Sequence, residues 1–319
     1  MSFAGILGQD TCIEVLKRSI DSGKVAHAYL FEGVEGCGKS LTARAFIEAV
    51  FCGKKESCGN CPSCRKMISG QHPDLHLVRP EGSVIKIEQI RRLQHELSYR
   101  PVEAPKKACI IEDADRLNQS SGNALLKTLE EPPGNALIIL VTANASAVLP
   151  TILSRCQRLH FAALSESVVT SILLASDVPE ERALVAASLA GGSVAAAQRI
   201  AAENTFAVRE KFLEQARSFS LGNVSAIFAA AEELARGKER VPEVLDLLKS
   251  FYRDALLMRS GCERLANPDL ASSVAGVAER CSIEQIMERI DFVSQAEHAL
   301  ARNVNPRLTL EVLFMRMAG

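Results

Sequence analysis

The chain has 319 residues, 47% of them hydrophobic and 24% charged, with a net charge of −1. That is the make-up of an ordinary globular protein of two or three domains, and a charge so close to zero excludes a global field for nucleic acid. Trp is absent and aromatic residues are only 5%, which argues against base-stacking platforms for single strands.

The first residues, MSFAGILGQD, lack a basic n-region and a long apolar h-region, so no secretory leader is expected. The most apolar stretch, NALIILVTANA, is strand-sized rather than membrane-spanning. Ten cysteines without export signals suit a reducing compartment, where thiols hold metals or fill cores.

Helical spacing runs from Ile6 to about Ser22. HAYLFEG (27–33) is a short strand that enters a glycine-rich turn, and SLTARAFIEAVF (40–51) is a helix with an apolar stripe. A compact cysteine-rich excursion follows. DLHLVRP (74–80), KACIIED (107–113), ALIILVTAN (136–144) and QRLHFA (157–162) read as strands. Between them IEQIRRLQHELSYR (87–100), NQSSGNALLKTLEEPP (118–133) and the start of PTILSRC (150–156) read as helices. Strands alternating with helices predict a parallel sheet covered on both faces. Beyond Leu164 strand-like runs vanish and Ala-, Leu- and Glu-rich helical periodicity takes over. The expected organisation is an α/β domain over 1–163 with a cysteine module at 52–64, a small helical domain over 164–205 and a larger helical domain over 206–319.

GVEGCGKS at 33–40 fits G-x-x-x-x-G-K-[ST] between strand and helix, the context that makes the match physical. Gly33, Gly36 and Gly38 let backbone N–H groups face an anion. Lys39 can reach β- and γ-phosphates and the Ser40 hydroxyl can ligate Mg²⁺, while the helix opening there adds its positive end. ATP with Mg²⁺ is the expected cofactor; a chance glycine turn is the bland alternative.

The strand ending in Glu112 and Asp113 occupies the place where P-loop ATPases hold Mg²⁺ and polarise water. Glu112 can reach a metal. Asp113 is one methylene shorter than the usual base, and a misplacement of about 1 Å can cost ~10²-fold in rate. Nucleotide binding therefore survives this order better than hydrolysis. The alternative is that both acids merely cap the strand and form ion pairs.

Cys52, Cys58, Cys61 and Cys64 are spaced C-x5-C-x2-C-x2-C. Two x2 steps converge three thiolates and the fourth is within loop reach, which suits tetrahedral Zn²⁺ in a closed, structural site. The intervening Gly53, Gly59, Asn60 and Pro62 are turn formers. A disulfide or redox pair is the competing reading. Cys37, inside the glycine loop, is either an oxidation-sensitive thiol or a small filler. Arg155, between a helix and a short strand, suits presentation at a subunit face, although spacing alone favours an intramolecular ion pair.

GQ at 8–9, HAYLFEGVEGCGKS, the four cysteines, HPDLHLVRP, NALLKTLEEPP and TILSRC follow one another in this order. Together they resemble the clamp-loader subunits of bacterial DNA polymerase III, in the AAA+ ATPase superfamily. The resemblance is dense over the first half of the chain, and NVNPRLTLEVLFMRM resembles the end of that family's helical collar.

The resemblance implies an AAA+ domain, a helical lid and an oligomerising collar. It implies gamma/tau and delta types as partners, contact with the sliding clamp and primed DNA through the complex, and a bacterial cytoplasmic location near the nucleoid through the replisome. No membrane contact is expected. Gamma/tau subunits carry Asp-Glu in place of Glu112-Asp113, an arginine where GGSVAAAQR has Ala195, and a longer tail. Reversed acids, the missing arginine (Arg199 lies one turn on) and the end at Gly319 point to the delta-prime type, with weak or absent hydrolysis of its own.

By the same resemblance Arg155 becomes an arginine finger for a neighbour's site. Asn144 or Thr142 becomes the γ-phosphate sensor, and Lys127 becomes a DNA-phosphate contact. An autonomous gamma-type motor and a zinc-containing nucleic-acid-binding protein, with Lys54, Lys55, Arg65 and Lys66 as its basic residues, are the alternatives. The absence of a lid-like Arg/Lys cluster argues against a small-molecule kinase.

Overall fold

Five short runs form the strands of one sheet in the computed structural model, which describes residues 2–54, 56–202, 212, 222–237, 240–262, 265–302 and 304–318. They are β1 (Ala28–Glu32), β2 (Leu75–Val78), β3 (Ala108–Ile111), β4 (Leu137–Thr142) and β5 (Gln157–His160). The order is β2-β3-β4-β1-β5 and every pairing is parallel. β3 and β4 are buried along their whole length, whereas the edge strands β2 and β5 are not. Continuous apolar runs in the centre and mixed ones at the rim are what a sheet with helices on both faces demands.

The helices of this unit are α1 (Asp10–Asp21), α2 (Lys39–Cys52), α3 (Pro62–Ile68), α4 (Ile87–Ser98), α5 (Gln119–Glu130) and α6 (Pro150–Leu153). Ile90, Leu93 and Leu97 of α4 and Leu125 and Leu129 of α5 pack with Leu30, Ile111, Ile138 and Leu140 of the sheet. Because β1, β4 and β3 are adjacent, the loops leaving their carboxyl ends lie side by side. That is where open parallel sheets bind ligands.

The first helix starts later than its spacing predicts. Phe3–Gly5 is a short 3-10 turn and α1 begins only at Asp10. Gly8 breaks the run with φ +74°, and a Cβ there would lie 2.7 Å from the Leu164 side chain.

The chain divides into two compact units, Met1–Val168 and Val169–Gly319. α7 (Glu166–Leu174) spans that division and no strand follows it among the described residues. The second unit contains α8 (Glu180–Leu189), α9 (Val194–Ala201), α10 (Val224–Arg236), α11 (Val241–Arg259), α12 (Ala271–Arg280), α13 (Ile283–Ala301) and α14 (Pro306–Ala318). Its core includes Ile227, Leu245, Leu248, Val274, Ile286, Val293, Leu310 and Leu313. Ser282 and Gln285 form a capping box at the start of α13. An α/β P-loop unit followed by helices alone is the fold class expected from the sequence. The expected boundary at 205–206 lies outside the described residues.

Candidate functional site

The glycine loop leaves β1 and ends at α2. Gly36 has φ +70° and Gly38, the N-cap of α2, φ +100°, values that residues with a Cβ rarely adopt. Gly33 is required for space: a Cβ there would meet the Phe161 carbonyl oxygen at 2.3 Å. Lys39 is buried, and its Nζ donates to the carbonyls of Gly33 at 2.7 Å and Val34 at 2.6 Å. Burial lowers its pKa, opposed by Cys37, Glu35, Asp113 and Asp115. Ser40 follows it on the first turn of α2. Gln9 braces the loop from outside, donating to the carbonyls of Cys37 at 3.1 Å and Ala162 at 2.8 Å. Cys37 is buried and its thiol is pushed up by that burial, which makes it a poor nucleophile.

The acids beyond β3 separate. Glu112 Oε2 accepts from Arg79 Nε at 2.6 Å, because β2 and β3 are neighbours with Val78 beside Ile111. Asp113 has φ +50° and faces Arg116 at 3.9 Å. Asp115 accepts a 2.5 Å hydrogen bond from the Thr142 hydroxyl at the end of β4. Asp113 and Asp115 both favour the charge on Lys39. Asn144 is exposed; its N–H donates to Thr142 Oγ1 and its Oδ1 accepts from Ser146. Asp115 was missed by sequence reasoning. It lies in the 3-10 turn Ala114–Arg116 just beyond β3, where neither strand nor helix period marks which side chain faces the loop.

Cys52, Cys58, Cys61 and Cys64 converge, with all four sulfurs within 4.8 Å of one another. Four sulfurs around a metal at about 2.3 Å would lie about 3.8 Å apart. The contacts between Cys61 and Cys52 (3.9 Å) and between Cys58 and Cys64 (4.0 Å) are close to that. The N–H of Cys61 donates to Cys58 Sγ and that of Cys64 to Cys61 Sγ, both at 3.4 Å. Backbone N–H groups of Asn60 and Cys61 draw the Cys58 thiol down to about 6, whereas burial first of all pushes Cys64 up to about 12. This donor set fits Zn²⁺. Of the basic residues nearby, Lys54 and Arg65 are exposed, Lys66 is paired with Glu103, and Lys55 lies outside the described residues.

Arg155 sits between α6 and β5. Its Nη2 lies 2.6 Å from Glu130 Oε1, and its Nη1 donates to Thr151 O at 3.0 Å and Ser154 Oγ at 3.1 Å. Lys127 is exposed on α5. In the second unit, Arg199 of α9 lines a cleft of about 820 Å³ with Glu243, Asp246, Lys249 and Arg253 of α11.

Two family models match the chain: DNA polymerase III, delta subunit, over residues 8–165, and the C-terminal part of the DNA polymerase III delta subunit over 203–318. The chain is 34% identical to the delta-prime subunit of DNA polymerase III from Bacillus subtilis strain 168, over 97% of this chain and 96% of that protein. The chain belongs to the DNA polymerase III delta-prime family. The delta-prime subunit of Escherichia coli K12 is 28% identical, with 95% and 92% covered. The tau subunit of Bacillus subtilis is 26% identical over 99% of this chain, which spans 61% of that relative. Among solved structures, a gamma subunit-related protein from Thermotoga maritima matches over 96% of this chain and 98% of its own, with 20% identity and a TM-score of 0.46.

Membership of the delta-prime family is the reading that the reversed acids and Ala195 favoured over gamma/tau. No helix among the described residues is long and apolar enough to cross a membrane.

Proposed function

We propose that this delta-prime-family chain is an ATP-holding, weakly hydrolysing subunit of a hetero-oligomeric clamp loader. On this reading it works in an AAA+ assembly with gamma/tau- and delta-type subunits that places the sliding clamp on primed DNA. The observation that carries the reading is a contrast within one site. The phosphate loop has its glycines, its buried lysine and its helix start, while Glu112 is held by Arg79 and Asp113 faces Arg116. Gly33, Gly36, Gly38, Lys39 and Ser40 would hold the triphosphate with its Mg²⁺. Bound metal would supply charge neutralisation at the phosphates.

On the same reading Glu112 is the metal-side acid, Asp113 a poor general base, and Asn144 or Thr142 the polar group near the γ-phosphate. Thr142 already donates to Asp115, and Asn144 has its N–H on Thr142. Arg155 is offered to a neighbouring subunit, where its charge would stabilise the transition state of that subunit's hydrolysis. The four cysteines hold a structural Zn²⁺. Equilibrium binding and steady-state hydrolysis by the isolated chain test the proposal. ATP binding that Lys39→Ala weakens by tenfold or more, with no hydrolysis above background, is expected. A robust rate abolished by Lys39→Ala would instead favour the gamma/tau motor reading.

A further inference from the structure

Glu130 closes α5 and stands where the polypeptide leaves for the proline pair of LEEPP. The proposed function gives it no role. It is half-exposed, and its carboxylate lies 2.6 Å from the Arg155 guanidinium, 25 residues further along the chain. An ion pair this exposed contributes little to folding.

What it does is geometric. Arginine has a long, freely rotating side chain, and ordering one at an interface costs up to about tenfold in an equilibrium constant. Here that ordering is already made. Thr151 O and Ser154 Oγ hold Nη1, while Glu130 holds Nη2.

The carrier of Glu130 is itself rigid. Leu125 and Leu129 of α5 are buried in one core with Val148 and Ile152 from the segment that carries Arg155. Gly122 lets α5 approach that segment closely: a Cβ there would lie 2.6 Å from Leu149. Both ends of the ion pair are therefore mounted on elements packed against each other.

We propose that Glu130 is a positioning residue for Arg155, fixing the guanidinium before a neighbour's triphosphate site reaches it. This rests on the reading of Arg155 as a finger in trans. Glu130 touches no reacting group and acts only through the arginine.

The test is the steady-state ATPase of the loader reassembled from purified subunits, with this chain as wild type, Arg155→Ala, Glu130→Ala, Glu130→Gln or the Arg155→Ala, Glu130→Ala double variant. Thermal melting of each isolated chain accompanies it. Glu130→Ala is expected to lower kcat by up to about tenfold, the ceiling set by the ordering cost above, with KM within about twofold and an unchanged melting temperature. Glu130→Gln, which keeps an acceptor, is expected to recover part of the rate. In the double variant the glutamate change should add nothing to the loss from Arg155→Ala. A Glu130→Ala rate at or above wild type, while Arg155→Ala abolishes activity, overturns the role of Glu130 alone. So does a fall in melting temperature with kcat unchanged. An Arg155→Ala loader as active as wild type overturns the finger reading, and the role of Glu130 with it.

Discussion

Asp74 carries more of the first unit's local order than its place in an HPD triplet reveals. Its carboxylate is fully buried and accepts the N–H groups of Val102 at 2.7 Å and of Glu103 and Ala104 at 2.8 Å. Burial by itself would raise its pKa, but the three N–H donors outweigh that and hold it below the usual carboxylate range. A depressed folded pKa means that the stabilisation is complete above the unfolded value, about 3.9, and is lost as pH falls through the folded one. Asp74→Asn is therefore expected to cost about 2 kcal/mol at neutral pH in urea unfolding. The gap to wild type should narrow below about pH 4; a gap independent of pH would contradict the charged role. Gly33→Ala is expected to lower the melting temperature and weaken ATP binding together, because the new Cβ drives into the Phe161 carbonyl. The glycine was legible as part of a phosphate loop. The Phe161 contact was not, because it depends on β1 and β5 being neighbours.

At the scale of elements, the central strands were legible as short continuous apolar runs, and most helices by the period of their apolar residues. The start of α1 was not, since spacing ignored what Gly8 and the buried Gln9 side chain do. Pairings between elements were also hidden. Arg79 meets Glu112, and Arg155 meets Glu130, only because of strand order and packing. The cysteine module shows the same limit: the spacing predicted convergence, but not what the module anchors.

Cys61 caps α3 and Pro62 opens it. Ser63 Oγ lies 3.0 Å from His72 Nε2, the His72 ring stands 4.6 Å from that of Phe51, and Lys66 pairs with Glu103. The cysteine cluster is thus tied to the start of β2 and to the loop that Asp74 holds. The isolated chain is expected to carry one Zn²⁺. Its removal by a chelator, or Cys58→Ser, should raise hydrogen exchange in residues 62–68 and 99–106 while leaving the central strands protected. Metal-free protein with unchanged exchange there would contradict the anchoring role.

At the scale of the whole molecule, the order of an α/β unit followed by helices was legible from the loss of strand-like runs after Leu164. The delta-prime likeness extends over nearly the full chain, so the function proposed belongs to an assembly rather than to the phosphate loop alone. Two features divide that function. This chain's own acids are engaged by Arg79 and Arg116, and its Arg155, paired with Glu130, is on the proposed reading offered to a neighbour. The most direct measurement is the ATPase of the chain alone beside that of the reassembled loader, with and without Arg155→Ala. The account predicts background hydrolysis by the isolated chain, and a loader rate that falls by ~10³-fold or more with Arg155→Ala. A vigorous nucleotidase in the isolated chain, or a loader indifferent to Arg155→Ala, would contradict it.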